Sequence, residues 1–236
     1  MDPVRDRYVK GEYKIADVDG PWKSRQMCRL IEMVPDKDTV RTYADVGCGQ
    51  GAVLVNLRDR LLRSGFNLVK VVGYDISPFP RGLIDRHREI DFRQVDFLDD
   101  DESFDVVTLN DVLEHVGAPQ EFLSKVGGRA RYVAVHVPLE GRLGVLLANQ
   151  YNYKIADVGH VSFWTPATAL NLVTASGLQP LYCRYTKGIL APSSRERWSQ
   201  LLTLPLRALV VALHPGLAAV TTGGVSLGIL CRGKKP

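Results

Sequence analysis

The chain has 236 residues, 45% of them hydrophobic and 24% charged, which is ordinary for a soluble globular protein that needs no disulfide framework. Its formal net charge of +4 comes from scattered basic residues, which disfavours a nucleic-acid-binding stripe. The four cysteines have no CxxC spacing and predict free thiols. Because no signal-peptide pattern and no apolar run of about 18 residues is found, we expect a cytoplasmic protein.

Helix and strand signals alternate along the chain. In chain order they predict helix 21–34, strand 42–46, helix 52–65, strand 68–75, helix 81–89, strand 90–97, strand 103–111, helix 119–126, strand 131–138, helix 165–177, strand 178–189 and strand 223–233. Strands that alternate with helices imply parallel pairing with right-handed crossovers. The pattern therefore predicts an α/β fold with a doubly wound sheet of about seven strands.

Two long connections, at roughly 139–164 and 190–222, interrupt this alternation. Long connections in a compact domain are commonly functional lids. The apolar segment 195–219 fits a hydrophobic lid, a dimer surface or a patch that contacts a membrane, with a lid or packing role as the default. We expect a single domain over 1–236, with an N-terminal helical lid at 1–35 and a helical insertion at 190–222.

The stretch ADVGCGQG (44–51) forms a glycine-rich turn between a predicted strand and a predicted helix. It satisfies the GxGxxG/A pattern, so a dinucleotide is one possible ligand. Asp75 ends the next predicted strand, where a carboxylate can bind both hydroxyls of a ribose. Both features suit any cofactor that contains adenosine.

Three further features favour a cofactor that carries an ammonium group. Asp45 lies two residues before the first glycine, where a carboxylate would attract an ammonium and repel a pyrophosphate. Asp96 and Phe97 follow the third strand and are suited to an exocyclic amine and to the face of a base. Two strands end the chain, with no second nucleotide-binding half.

Together these motifs resemble those of class I S-adenosylmethionine-dependent methyltransferases of the methyltransferase type 11 or ubiquinone O-methyltransferase kind. The resemblance covers roughly residues 40–180 and implies a Rossmann-like sheet whose last strand is antiparallel, with S-adenosyl-L-methionine as cofactor. The matching motifs, in the family's order, are DVGCGQG (45–51), GYDIS (73–77), VDF (95–97), FDVVTLNDVLEHV (104–116), VHVP (135–138) and GHVSFWTP (159–166).

The resemblance implies a cofactor site along the carboxyl ends of the strands. Asp45 would orient the amino group of the methionine part, Asp75 would bind the ribose hydroxyls, and Asp96 would accept from the adenine amine. Turn capping is the alternative role for Asp45 and Asp96, since Asp is common in turns. The other implied contacts are Gly47, Cys48, Gly49 and Gly51 at the glycine turn, Ile76 and Phe97 at the adenine, and Asn110 facing the sulfonium.

A hydroxyl or amine acceptor must also lose a proton, to a general base or with the help of a metal. His115 and His160 are the candidate catalytic residues. The spacing of Asp111, Glu114, His115 and His160 is similar to the E-x-x-E-H…H pattern of metal-assisted methyltransferases, which act in the ubiquinone pathway or on small RNA. That similarity implies a magnesium-type ion. Asp111 stands where the pattern usually has Glu, and its shorter side chain reaches less far. Packing is the alternative role for His115.

The leading hypothesis is methyl transfer to an oxygen or nitrogen of a small-molecule acceptor, including a lipid-linked one. The second hypothesis is an RNA methyltransferase, including a metal-assisted one of the 2′-O type, although no RNA-binding module or basic stripe supports it. A catalytically silent partner subunit that binds the cofactor is the third, and a dehydrogenase is a distant fourth. Peripheral membrane contact is an expectation that rests on the apolar insertion, and no motif specifies the acceptor or the oligomeric state.

Overall fold

The computed structural model of the chain describes residues 3–13, 18–195 and 204–235. Seven strands form one sheet in the order β3-β2-β1-β4-β5-β7-β6. The strands are β1 (Thr42–Val46), β2 (Lys70–Asp75), β3 (Asp91–Gln94), β4 (Phe104–Asn110), β5 (Ala130–Pro138), β6 (Gln179–Thr186) and β7 (Ser226–Arg232).

Neighbouring strands from β3 to β5 pair in parallel, and β7 runs antiparallel to both β5 and β6. The predicted doubly wound sheet with an antiparallel last strand is therefore confirmed. The helices are α1 (Pro3–Val9), α2 (Gly20–Ile31), α3 (Ala52–Arg63), α4 (Leu83–Arg86), α5 (Pro119–Gly128), α6 (Leu143–Leu147), α7 (Tyr151–Val158), α8 (Pro166–Ala175), α9 (Leu204–Leu213) and α10 (Pro215–Val220).

The core lies in two layers, one on each face of the sheet. Successive side chains of a strand point to opposite faces, so Tyr43 packs in the layer under α2 and α3 while Ala44 packs in the layer under α5 and α8. Val211 of α9 and Ala218 of α10 extend the second layer. Because both faces are covered, the central strands are nearly continuous apolar runs.

Two predicted elements are shorter than the sequence suggested. The helix expected over 81–89 is the single turn α4, which follows Gly82 in the left-handed conformation (φ +73°) and ends at His87 (φ −130°). The strand expected over 90–97 is the four-residue β3 at the edge of the sheet. An edge strand has one pairing partner, so fewer of its residues meet the hydrogen-bonding pattern of a strand.

Both long connections contain helices. The first holds α6 and α7, and the second holds α9 and α10. Residues 196–203 of the apolar segment lie outside the described residues. In the part of the chain that the structure describes, every helix is too short or too polar to cross a bilayer.

Candidate functional site

The glycine turn between β1 and α3 adopts a backbone that side chains would strain. Gly47, Gly49 and Gly51 have φ angles of +74°, +56° and +85°. A Cβ atom on Gly47 would also lie 2.6 Å from Cγ2 of Val112. Only glycine fits this turn without strain, and the bare backbone it presents can approach a ligand closely.

A cavity of about 840 Å³ opens beside this turn, at the carboxyl ends of β1, β2 and β4. Its volume suits a small-molecule site. All the site residues predicted from the sequence lie on its wall except Gly51, which directly precedes α3 and lies beside Leu83 and Phe92. They are Asp45, Gly47, Cys48, Gly49, Asp75, Ile76, Asp96, Phe97, Asn110, Asp111, Glu114, His115 and His160.

Asp45 is held by the neighbouring strand rather than by a turn. Its Oδ1 accepts hydrogen bonds from Oγ1 of Thr108 at 2.6 Å and from Nδ2 of Asn110 at 2.8 Å. The other end of the Asn110 amide, Oδ1, is buried and has no hydrogen-bond donor among the described residues. A buried acceptor without a donor is rare in folded proteins, so Asn110 is suited to a ligand that brings a donor.

Asp75 and Asp96 each use oxygen atoms to hold backbone. Oδ2 of Asp75 accepts from the amide of Gly49 at 2.6 Å, and Oδ1 accepts from the amide of Ser77 at 2.7 Å. Each oxygen keeps a lone pair that a ribose hydroxyl could use. Asp96 does cap a turn, because its Oδ1 accepts from the amide of Leu98 at 2.9 Å.

The remaining oxygen of Asp96 forms an ion pair with Arg5 of α1, so the N-terminal helix closes over this end of the cavity. The neighbouring Phe97 ring is buried and packs edge-on against Tyr74, with ring centroids 5.1 Å apart. The structure thus places the ring in the core beneath the wall, where it supports the wall more than it could cover a base.

Asp111 belongs to a partly buried network that the sequence reasoning missed. Its Oδ2 lies 2.6 Å from Nζ of Lys23, and its Oδ1 lies 2.7 Å from Nδ1 of His136, whose Nε2 lies 2.9 Å from Oγ1 of Thr186. Burial would raise the pKa of Asp111, but Lys23 and His136 outweigh it and hold the pKa well below its usual range. Asp111 adopts a positive φ (+54°), which is uncommon for residues other than glycine.

Three of the four residues predicted as metal ligands come together. One ligand atom each from Glu114, His115 and His160 lie within 4.8 Å of one another. The structure does not bring Asp111 into this group, because both of its oxygens are engaged by Lys23 and His136.

Glu114 is 1% exposed, and neither of its carboxylate oxygens has a hydrogen-bond donor among the described residues. Burial, together with the charge of Asp111, raises the pKa of Glu114 well above its usual range. A buried carboxylate without donors is costly unless a cation or a proton accompanies it. The arrangement therefore fits a bound cation, an incoming donor or a protonated carboxyl.

Side chains from other segments contact and orient both histidines of this group. Nδ1 of His160 lies 2.7 Å from Oε2 of Glu140, and Oε1 of Glu140 accepts from Nζ of Lys154 at 2.6 Å. Nδ1 of His115 lies 3.0 Å from the hydroxyl of Tyr8. Contacts at Nδ1 fix the ring orientation, as is typical of histidines that bind metal or move protons.

Burial, with a contribution from His160, lowers the pKa of His115 to about 4, so its imidazole is neutral at pH 7. Glu140 was not identified from the sequence because it lies in a connection with no recognisable motif. Its one signal is its position two residues after the end of β5, at the edge of the sheet where the site lies.

The methyltransferase domain family matches residues 21–182, which is more than half of the chain, and the chain belongs to that family. It is a class I S-adenosylmethionine-dependent methyltransferase. The seven-stranded sheet and the position of the cavity at the carboxyl ends of its strands agree with this assignment.

A curated relative of this methyltransferase is the ubiquinone biosynthesis O-methyltransferase of Actinobacillus pleuropneumoniae serotype 7 (strain AP76). The two are 28% identical over 166 residues, which cover 61% of this chain and 67% of the relative. The chain therefore spans about two thirds of that relative's length.

Solved structures show the same fold at low sequence identity. Magnesium protoporphyrin IX methyltransferase from Synechocystis PCC 6803, with bound SAH, superposes with a TM-score of 0.57 at 13% identity, covering 98% of this chain and 93% of that one. An O-methyltransferase family protein from Burkholderia thailandensis has a TM-score of 0.56 at 16% identity. The match covers 98% of this methyltransferase but only 60% of that chain.

Proposed function

We propose that this methyltransferase transfers a methyl group to an oxygen or nitrogen of a small-molecule acceptor, with a hydroxyl as the favoured group. The observation that carries the proposal is the cluster of Glu114, His115 and His160 on the wall of the same cavity as the glycine turn. It supplies polar groups suited to a hydroxyl beside the place where a cofactor would lie.

The residues at the other end of the cavity fit S-adenosylmethionine. When bound, this cofactor supplies a methyl group on a sulfonium, whose neutral leaving group asks the protein mainly for positioning. Asn110 and Asp45 would accept from the ammonium group of the methionine part, and Asp75 would accept from the ribose hydroxyls. Asp96 would accept from the adenine amine at the end of the cavity that Arg5 closes.

His160 is the best candidate for the general base. Its Nδ1 is held by the carboxylate of Glu140 at 2.7 Å, which leaves Nε2 to take a proton from the acceptor. His115 is less suited, because a base whose pKa is about 4 takes up a proton only weakly at pH 7. Its neutral ring can instead accept or donate a hydrogen bond to the acceptor.

The test is methyl transfer from radiolabelled S-adenosylmethionine to a panel of phenols, catechols and primary amines. We expect turnover of at least one class, and His160→Gln should lower kcat by about 100-fold, the scale of general-base catalysis. His87→Gln, in a loop outside the cavity, is the control. Transfer to RNA but to none of the small molecules would contradict the proposal, and so would a protein that binds the cofactor without any transfer.

A second candidate is a metal-assisted form of the same reaction, which the donor-free carboxylate of Glu114 favours. One carboxylate and two imidazoles form a mixed oxygen and nitrogen donor set, which suits manganese, iron or zinc better than magnesium. Glu114, His115 and His160 would hold the ion, which would bind the acceptor hydroxyl and lower its pKa. Glu140 and Tyr8 would orient the two imidazoles.

Metal binding can be measured without turnover. Manganese is titrated into the protein saturated with S-adenosylhomocysteine and followed by calorimetry and by the electron paramagnetic resonance of free manganese. Glu114→Gln should abolish binding, while Glu121→Gln, which changes an exposed carboxylate elsewhere on the cavity wall, should not. If the native protein takes up neither manganese, zinc nor magnesium, the metal-assisted form is excluded and the general-base form stands.

A further inference from the structure

Two arginines from the two long connections lie against one pair of glycines. A Cβ atom on Gly223 would lie 2.4 Å from Nε of Arg142, and a Cβ atom on Gly224 would lie 3.3 Å from Nη2 of Arg207. Gly144 also leaves space for Arg142, because a Cβ atom there would lie 2.8 Å from its Nη1. Three positions without side chains therefore make room for the two guanidinium groups.

The two arginines are partly buried between the connections that carry them. Arg207 lies one helical turn before Val211 in α9 and shares its face, and Val211 is buried in the core. Arg142 directly precedes α6, and its guanidinium lies beside the glycine pair that follows α10. Both side chains are thus directed toward the body of the protein, where charged groups need partners.

The described residues supply no such partner. Neither guanidinium has a hydrogen-bond acceptor or an ion-pair partner among them. Nε of Arg207 is buried without an acceptor, and Oγ1 of Thr222, the residue before Gly223, is buried without any hydrogen-bond partner. Burial, followed by the positive charge of Arg207, lowers the pKa of Arg142, and the negative charge of Glu140 opposes this shift.

This set of unused donors is suited to a small oxyanion. Two like charges close together and partly buried are unfavourable unless an anion lies between them. Planar guanidinium groups bind the oxygens of carboxylate or phosphate in a fixed geometry. The hydroxyl of Thr222 can donate one further hydrogen bond. A cation would be repelled here, and a neutral group would leave the two charges uncompensated.

The pair lies close to the proposed acceptor end of the cavity. Pro138, on the cavity wall at the end of β5, pairs with Ser226 at the start of β7. Gly224 comes two residues before Ser226, so at about 3.3 Å per residue it lies roughly 10 Å from that part of the wall. Arg142 likewise comes two residues after Glu140, which orients a histidine of the site.

We propose that Arg142 and Arg207 bind a carboxylate or phosphate group of a small molecule, with Thr222 as a further donor. One source of this group is the methyl acceptor itself, whose acidic end would lie at the arginine pair while its hydroxyl lies in the cavity. The other source is a free anion such as phosphate, which would connect α6 and α9. The first source rests on the proposed function, whereas the anion site itself does not.

Calorimetry on the protein saturated with S-adenosylhomocysteine tests the site. The probes are inorganic phosphate, catechol and 3,4-dihydroxybenzoate, which is catechol with a carboxylate. We expect the native protein to bind phosphate, or to bind 3,4-dihydroxybenzoate at least 10-fold more tightly than catechol. Arg142→Gln/Arg207→Gln should weaken that binding by roughly 10- to 100-fold, the scale of a charge-assisted hydrogen bond. The matched control is Arg81→Gln/Arg88→Gln, which removes two exposed charges between β2 and β3.

The probes also distinguish the two sources of the anion. A preference for 3,4-dihydroxybenzoate over catechol that disappears in the arginine variant assigns the site to the acceptor. Binding of phosphate that disappears in the variant, with equal binding of the two catechols, assigns it to a free anion. Because these measurements need no turnover, failure of the methyl-transfer assay would leave their result unchanged.

A second measurement uses the native protein, in case the arginine variant does not fold. Phenylglyoxal modifies accessible arginine side chains, and mass spectrometry of peptides gives the rate at each position. Phosphate or 3,4-dihydroxybenzoate should slow modification of Arg142 and Arg207 several-fold and leave the rates at Arg81 and Arg88 unchanged. Equal anion affinity in the native protein and the folded arginine variant would overturn the proposal. So would equal protection of all four arginines, or binding of none of the anionic probes.

Discussion

At the amino-terminal ends of the parallel strands, Oδ2 of Asp105 accepts hydrogen bonds from the amides of Arg41 and Thr42 and from the Thr42 hydroxyl, at 2.8 to 3.0 Å. At the carboxyl ends of the strands, the more deeply buried carboxylate of Glu114 accepts no hydrogen bond from the described residues. The fold satisfies the first carboxylate itself and leaves the second for a proton, a cation or a ligand.

The pKa values of Asp105 and Glu114 are shifted in opposite directions, in agreement with their hydrogen bonding. Burial would raise the pKa of Asp105, but the amides of Arg41 and Thr42 outweigh it and lower the pKa. Burial raises the pKa of Glu114, and the nearby charge of Asp111 raises it further. A carboxylate whose ionised form is stabilised by the protein itself indicates a structural role. A carboxylate without such stabilisation indicates a functional role.

The largest expected effect comes from removing the charge of one carboxylate at each end of the parallel strands. Asp75→Asn removes a charged acceptor from the proposed ribose site, and hydrogen bonds to charged groups contribute about 1.5–3 kcal/mol each. Calorimetry should therefore show S-adenosylhomocysteine binding weakened by roughly 10- to 100-fold. Asp105→Asn is the matched control at the other edge and should leave the affinity of the folded protein unchanged. Equal losses in both variants would contradict the division of roles.

The stability of the same two variants should not follow the order of their affinities for the cofactor product. Asp105→Asn replaces a carboxylate that holds the starts of β1 and β4 together, and we expect the free energy of unfolding in urea to fall by about 2 kcal/mol at pH 7. Asp75→Asn should lose a similar amount, because one of its two backbone donors would then face an amide nitrogen, whereas the three donors of Asp105 share a single oxygen and lose only its charge. An Asp105→Asn protein as stable as the native one would show that these bonds contribute nothing net.

The contribution of Asp105 should depend on pH in a defined direction. Because its pKa is lower in the folded than in the unfolded chain, the contribution is full above the unfolded pKa of about 3.9 and is lost as the pH falls through and below that value. Urea unfolding of the native and Asp105→Asn proteins between pH 7 and pH 3 should therefore show the two curves converging. Curves that stay parallel would rule out the ionised form as the source of the difference.

Glu114→Gln sharpens the comparison from the functional side. In the protein without metal, a neutral amide costs less to bury than a carboxylate, so we expect the free energy of unfolding at pH 7 to rise by about 1 kcal/mol. The same change should abolish manganese uptake if the metal-assisted form operates. A variant that is clearly less stable would mean that the native carboxyl is already satisfied within the fold.

The smallest effect extends the comparison from carboxylates to guanidinium groups. The guanidinium groups of Arg207 and Arg142 lie against the neighbouring glycines Gly224 and Gly223. Arg207→Gln removes one of these two adjacent positive charges and should raise the free energy of unfolding by about 0.5 kcal/mol. Arg93→Gln is the matched control, because Arg93 is bonded to three carboxylates and its removal should destabilise the protein. A loss of stability with Arg207→Gln would show that this guanidinium supports the fold.

The sequence predicts the central part of this molecule well. Buried parallel strands are continuous apolar runs, so the predicted strands 42–46 and 103–111 agree with β1 and β4 to within one residue. The carboxylates Asp45, Asp75 and Asp96 lie at or near the ends of such strands, so their shared cavity follows from the fold class.

The sequence does not predict the contacts between distant segments. Lys23 reaches Asp111 from α2, and Glu140 reaches His160 from a loop, and neither pair has a characteristic spacing. Arg142 and Arg207 meet only because a pair of glycines lies between their segments. Such pairs depend on side-chain packing in three dimensions, which local periodicity does not record.

The N-terminal helix α1 connects the two ends of the cavity. Arg5 pairs with Asp96 at the proposed adenine end, and one turn later the hydroxyl of Tyr8 lies 3.0 Å from Nδ1 of His115 at the proposed acceptor end. A shift of this short helix alters both contacts together. We therefore expect the binding of the two substrates to be linked, with initial-rate patterns that show a compulsory order of addition, and removing the hydroxyl with Tyr8→Phe should relax that order.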